Sequence, residues 1–253
     1  MADEELRRLF GFEGKVALVT GGGQGIGRMI AEGLVRAGVR VYIASRKLDV
    51  CEATAAELSR LGTCVALQAD LSNEAGCRAL AEAVRDREPA LHVLVNNSGA
   101  TWGAPLDEFP DAAWDRSFDL NVRAVFNLTR ALLPALRAAA TADDPARVIN
   151  IGSVDGLRVP LLETYAYSAS KAAVHHLTRV LASRFAGEHI AVNAIAPGPF
   201  ESHMMRATLA ARGDELAASI PLRRIGRPDD MAGTVIYLAS RAGAYVNGVV
   251  LPV

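Results

Sequence analysis

Lysine is almost absent from this chain of 253 residues: Lys15, Lys47 and Lys171 are all it has, the rest of its 27 basic residues being arginine. Cysteine is scarce as well. Cys51, Cys64 and Cys77 are odd in number and form no close pair, which argues against a disulfide framework and against a metal site. They read as reduced, packed thiols of a cytosolic (cytoplasmic) protein. An excess of one charge is missing too, for the formal net charge is −1. The chain therefore carries no electrostatic footprint for nucleic acid or an anionic membrane. No apolar run approaches the ~20 residues of a membrane-spanning helix, and the charged start Met1–Phe10 lacks the apolar core of a signal peptide. There is no repeat, low-complexity tract or Pro/Gly-rich linker to divide it. With 51% apolar residues the chain has ample core for one α/β domain over residues 1–253.

What is present is one rhythm from end to end. Strand-like runs cover Lys15–Thr20, Arg40–Ala44, Cys64–Gln68, Leu91–Asn96, Ala146–Gly152, Ile190–Ala196 and Gly248–Pro252. Helix-length segments lie between them at Gly25–Ala37, Leu48–Leu61, Ala75–Arg87, Trp114–Ala140, Ala166–Arg184 and Asp229–Ser240. Short, doubly apolar strands alternating with helices predict a doubly wound, parallel, seven-stranded sheet with helices on both faces. The segment from Pro197 to about Pro221 fits this rhythm least, and its Met, Phe and His content points to a mobile flap over a site.

One of the three lysines follows a tyrosine by one helical turn, in Tyr167-Ser168-Ala169-Ser170-Lys171. Five tyrosines and three lysines would produce such a pair by chance in roughly 6% of shuffled chains. Residues i and i+4 share a helix face, so phenol and ammonium can meet in one pocket. A nearby cation lowers a phenol's pKa from about 10 and makes it usable as a general acid or base. The alternative is a surface lysine beside a packed tyrosine.

The first strand-like run ends in Thr20-Gly21-Gly22-Gly23-Gln24-Gly25-Ile26-Gly27, and a helix begins there. Strand, glycine turn and helix N-terminus form the arrangement that binds a pyrophosphate with backbone N–H groups. The spacing differs from the common G-x-G-x-x-G, and a tight turn needing glycine for geometry alone is the competing explanation. At the end of the second run an NAD-preferring site places an acidic side chain. Here stand Ser45, Arg46 and Lys47, with no carboxylate before Asp49. A hydroxyl and two cations suit a 2′-phosphate, hence NADPH; a solvated pair at a helix start is the alternative.

With these motifs the chain resembles the short-chain dehydrogenase/reductase family over essentially its whole length. The matching pieces are Thr20-Gly21-x-x-x-Gly25-x-Gly27, Asp70-Leu71, Asn96-Asn97-Ser98-Gly99, Asn121, Ser153, Tyr167-x-x-x-Lys171 and Pro197-Gly198. Within the family it is most similar to the rhamnolipid-type β-ketoacyl (3-oxoacyl) reductases, through Asn97–Ala104 and Pro145–Ser153. The resemblance implies that Tyr167 protonates a carbonyl oxygen while NADPH delivers hydride. Lys171 would hold ribose hydroxyls and stabilise the phenolate, Ser153 would orient the substrate oxygen, and Asn121 would anchor a water that reprotonates Tyr167. Asp70 and Leu71 would sit at the adenine, Asn97, Ser98 and Gly99 along the ribose, and Gln24 and Ile26 within the glycine loop. Pro197, Gly198 and Ser202 would lie beside the nicotinamide. Asp70 as a helix cap and Asn97 as a turn residue remain open.

The chain also departs from the family's pattern. Ser98 stands where alanine is usual, and Ser202 replaces a threonine. Tyr165 has no lysine four residues later and competes poorly with Tyr167. The sequence ends at Leu251-Pro252-Val253 rather than in Asp-Gly-Gly, which puts subunit packing in question. Asp144 and Glu188 stand where bacterial fatty-acid-synthesis reductases of the family carry two docking arginines. Like charge toward an acidic carrier makes acyl carrier protein a doubtful partner. The expected function is an NADPH-dependent ketoreductase acting on a small keto substrate, a 3-oxoacyl thioester or similar β-keto compound. The alternatives are an NADP-dependent secondary-alcohol dehydrogenase and a non-catalytic dinucleotide sensor. Trp102, Leu157, Pro160, Phe200 and Met204 are the apolar candidates for the substrate pocket. The resemblance also implies a homodimer or homotetramer through Trp114–Ala140 and Ala166–Arg184, with Leu128, Leu132, Leu136, Leu177 and Leu181 as candidate contacts.

Overall fold

Runs rich in β-branched and aliphatic residues make strands buried on both faces. Val16–Thr20 (β1) and Ala146–Ile151 (β5) are buried at every residue, as is Ile190–Ala196 (β6). Arg40–Ser45 (β2), Cys64–Gln68 (β3), Val93–Asn96 (β4) and Val250–Pro252 (β7) complete the set. All pairings are parallel, in the order β3-β2-β1-β4-β5-β6-β7. The computed structural model describes residues 2–160, 162–202 and 205–253.

Parallel strands need crossovers, and helices supply them on both faces. On one face lie Gly25–Arg36 (α2), Leu48–Leu58 (α3) and Pro228–Ala239 (α9), which bury Ile30, Leu34, Leu58 and Val235 against Ala17, Val19 and Ile43. On the other, Glu74–Arg85 (α4), Ala124–Ala139 (α6) and Tyr165–Phe185 (α7) bury Leu80, Leu128, Leu132 and Phe185 against Leu18, Leu94 and Val148. The doubly wound Rossmann-type sheet expected from the sequence is what forms. Among the described residues no helix is long and apolar enough to cross a membrane.

Three elements differ from the sequence reading. A helix, Ala2–Phe10 (α1), occupies the charged start. The expected single helix Trp114–Ala140 divides into Ala112–Phe118 (α5), a π-helical turn at Asp119–Arg123, and α6. The expected flap contains a helix, Arg206–Ser219 (α8), kinked at Arg212. Its alanines and scattered charges carry no 3.6-residue apolar stripe to announce it. Beyond it, Arg224 ties the chain to α9 by paired hydrogen bonds to Asp230 at 2.5 and 2.9 Å.

Candidate active site

The carboxyl ends of β1, β4, β5 and β6 open onto a cleft of about 1130 Å³. It lies where the strand order reverses between β1 and β4, the place at which open α/β sheets hold ligands. Every residue assigned above to the cofactor borders this cleft, as do Ser153, Tyr167 and Lys171.

At one end the glycine turn meets the start of α2. Gly21 has φ +66°, and a Cβ on Gly27 would stand 2.3 Å from the Gly21 carbonyl oxygen, so the turn closes only without side chains there. The α2 N-cap, Gln24, makes no side-chain cap bond, and the first turn holds no carboxylate. Its leading N–H groups and the positive end of the helix dipole are therefore left for an anion. Arg46 and Lys47, both exposed, flank the β2 edge of the same cleft.

Across from them, Asp70 Oδ1 accepts the Ser72 N–H at 3.0 Å. That bond, and more weakly Arg46, holds its carboxyl below the usual range. Asn73 caps α4 instead, accepting from the Gly76 N–H at 2.9 Å, so Asp70 is not the helix cap. Asn97 donates from Nδ2 to the Thr20 carbonyl at 2.8 Å, while its N–H donates to Thr20 Oγ1 at 2.9 Å. It thereby fastens the end of β4 to the glycine turn.

At the other end α7 presents Tyr167 and Lys171 on one face. The Lys171 ammonium lies 5.6 Å from the Tyr167 ring centroid and donates to the Ile151 carbonyl at 2.7 Å. Burial lowers its pKa to about 8. Burial also pushes the Tyr167 phenol up, opposed by its hydrogen bond with Ser153 and reinforced by Asp155. The net shift is upward, opposite to the lowering expected from Lys171, and desolvation of the phenolate is its largest cause. Ser153 Oγ accepts the Asp155 N–H at 3.1 Å. The Asp155 carboxyl, which the sequence reading passed over, borders the cleft and is raised by burial against the pull of Arg158.

Asn121 stands behind the cleft wall, in the π-helical turn, with 1% of its surface exposed. Its Oδ1 accepts the Ala100 N–H at 2.8 Å, and Nδ2 donates to the Ala100 carbonyl and to Ser170 Oγ at 2.9 and 2.8 Å. Both amide hydrogens are used, so a water held by this residue would have to donate to a carbonyl oxygen. Gly99 lies against both Asn121 and Lys171: a Cβ there would be 3.1 Å from Asn121 Oδ1 and 3.7 Å from Lys171 Nζ.

The apolar candidates fare less well. Trp102, Leu157 and Pro160 do not border the cleft. Phe200 does, but its ring is buried in the core beneath Gly226. Met204 lies outside the described residues. The wall is completed by Met205, Thr208 and Leu216 on and before α8, which a reading of that stretch as loop could not foresee. The two carboxylates expected to oppose an acidic carrier each have ion-pair partners. Asp144 is bound by Lys15 at 2.5 Å and Arg147 at 3.3 Å, and Glu188 by Arg137 at 2.6 Å with Arg184 nearby. Both carboxylates are therefore ion-paired and not bare negative charges.

A family model described as short chain dehydrogenase matches residues 15–213. The rhamnolipids biosynthesis 3-oxoacyl-[acyl-carrier-protein] reductase of Pseudomonas aeruginosa is 50% identical over 248 residues, covering 96% of both chains. A 2-dehydro-3-deoxy-D-gluconate 5-dehydrogenase of Pseudoalteromonas atlantica is 35% identical over 250 residues, covering 96% of this chain and 95% of that one. Among solved structures, an RhlG/NADP active-site complex from Pseudomonas aeruginosa superposes with a TM-score of 0.95 at 49% identity, covering 97% of each chain.

Proposed function

The chain belongs to the short-chain dehydrogenase family, an oxidoreductase family acting between CH–OH and C=O, and on that premise we propose an NADPH-dependent ketoreductase. Its substrate is a 3-oxoacyl thioester or a similar β-keto compound, reduced to the secondary alcohol. One observation carries this reading: a single cleft joins the phosphate cradle and Arg46 at one end to Ser153, Tyr167 and Lys171 at the other. Similarity to a 3-oxoacyl reductase and to an NADP complex supports it.

The residues present fit a dinucleotide phosphate. The glycine turn and uncapped α2 would hold the pyrophosphate, Arg46 and Lys47 the 2′-phosphate, and Lys171 and Asn97 the riboses. NADPH, when bound, supplies the hydride. Tyr167 delivers its phenolic proton to the substrate oxygen, and Ser153 Oγ holds that oxygen by a hydrogen bond. Lys171, charged below pH about 8, stabilises the phenolate left behind. Asn121 keeps the Ala100 backbone and Ser170 in place around them.

CoA and carrier protein both remain candidate handles for the acyl group, since Asp144 and Glu188 are ion-paired. The subunits associate as a homodimer or homotetramer. A screen of ketones, CoA thioesters and carrier thioesters, read by NADPH consumption, tests the reaction class. Failure of every β-keto compound, with turnover of another carbonyl or of an alcohol, would displace it.

A further inference from the structure

His175 lies one helical turn beyond Lys171 on α7 and does not border the cleft. It is 2% exposed, and its Nε2 accepts the N–H of Ser153 at 3.4 Å. Two glycines make room for the ring. A Cβ on Gly152 would stand 2.0 Å from Nε2, and one on Gly156 would stand 2.9 Å from Cε1. The imidazole is therefore seated beneath the turn Gly152–Gly156 that carries Ser153. Burial, with Lys171 and Arg179 adding their positive charge, holds it neutral, with its pKa lowered to about 4. With Nε2 accepting, Nδ1 bears the proton; it has no partner within hydrogen-bond distance among the described residues, and the Gly156 backbone beside the ring raises the pKa only partway against burial. A leucine or methionine would fill the same space but could not accept the Ser153 N–H, so packing alone does not account for an imidazole here.

We propose that His175 is a positioning residue for the reduction: it fixes the Ser153 main chain from behind, so that Oγ is aimed at the substrate oxygen. Asp155 holds the same residue from the other side, its N–H donating to Ser153 Oγ at 3.1 Å. The proposal rests on the reading that Ser153 orients the carbonyl. It adds the reason why the hydroxyl, on a short loop after β5, keeps one direction.

Two variants separate positioning from packing. His175→Leu keeps the volume and removes the acceptor, and His175→Gln places an amide oxygen near the site of Nε2. With acetoacetyl-CoA and NADPH, His175→Leu should lower kcat about 10- to 100-fold, as misplacement of a reacting group by a fraction of an ångström does. NADPH affinity should stay close to that of the unaltered protein, and His175→Gln should recover most of kcat. In ligand-free protein the Ser153 amide should exchange its hydrogen slowly, and faster in His175→Leu. In a Ser153→Ala background His175→Leu should cost no more than about twofold further, because no hydroxyl is left to aim. Losses that multiply in the double variant overturn the proposal, as does a His175→Leu kcat close to that of the unaltered protein. A Ser153 amide in the unaltered protein exchanging like an exposed loop overturns it without any variant. Full kcat in Ser153→Ala would sink the role of Ser153 and this proposal with it, whereas the other outcomes sink His175 alone.

Discussion

At Tyr167 two effects oppose each other, and their balance sets what the phenol can do. Burial raises its pKa, so the group enters a reduction as a protonated acid and not as a phenolate. Tyr167→Phe removes only that proton. It should cost about 10²–10⁴ in kcat while NADPH titration by fluorescence gives a near-normal Kd. Arg46 stands at an exposed edge of the cleft. Arg46→Asp should reverse or abolish the preference for NADPH over NADH, measured as the ratio of kcat/KM. Equal use of both cofactors by the unaltered protein would refute the assignment. At His175 the folded-state pKa of about 4 lies below the ordinary 6.5. Between those values the unfolded chain binds the proton and the folded chain does not, so stability falls as pH drops from 6.5 toward 4. The slope from this group is at most about 1.4 kcal/mol per pH unit. Urea unfolding at pH 7 and pH 4.5 should show a smaller acid loss in His175→Gln than in the unaltered protein.

Between elements, a string of buried polar side chains sets how the sheet seats its helices below the site. Asn96 on β4 donates to Asn150 Oδ1 on β5 at 2.9 Å and to Thr129 Oγ1 on α6 at 3.2 Å. Asn150 donates in turn to Thr178 Oγ1 on α7 at 2.9 Å. Four elements are thus keyed together by groups that would be costly to leave unpaired. Asn150→Ala strands the Asn96 donor and opens a small cavity. It should destabilise by about 2–4 kcal/mol, from one unsatisfied buried group plus the lost volume, read as a lower urea midpoint at unchanged m. Asn150→Val, closer in volume, should recover only part of this. The π-helical turn acts at the same scale: it places Asn121 between Ala100 and Ser170, where an uninterrupted α-helix would rotate it away.

Over the whole molecule, one charge cluster joins distant ends of the chain. Arg147, 1% exposed at the start of β5, donates to Asp144 and to the Ser240 carbonyl at the end of α9. Asp144 also binds Lys15 beside β1. Asp144→Asn would leave a buried guanidinium without its counter-charge. That should cost about 3 kcal/mol, whereas Glu57→Gln, which breaks the exposed pair with Arg28, should cost less than about 1 kcal/mol. Chemical denaturation of the two variants side by side checks it. Association is the other property of this scale. Leu128, Leu132, Leu136 and Leu181 are buried in the core against the sheet and cannot form the subunit contacts first assigned to them. Phe126 and Val180 are the large apolar side chains that α6 and α7 leave exposed among the described residues. Light scattering should give a dimer or tetramer, reduced in Phe126→Glu with Val180→Glu.

The seven strands, the glycine turn, the Arg46 edge and the Tyr167–Lys171 pair were legible in the sequence because each depends on residues close along the chain. Periodicity and spacing report such local geometry directly. The π-helical turn at Asn121, the helix at Arg206–Ser219 and the imidazole beneath Ser153 were not, since no local pattern distinguishes them from an unbroken helix, a loop or a packed ring. The direction of the Tyr167 shift, the neutralised Asp144 and Glu188, and the inward leucines were decided by tertiary structure alone. Desolvation, ion pairing and the choice of buried face depend on which distant residues arrive, and residue types along a chain do not carry that information.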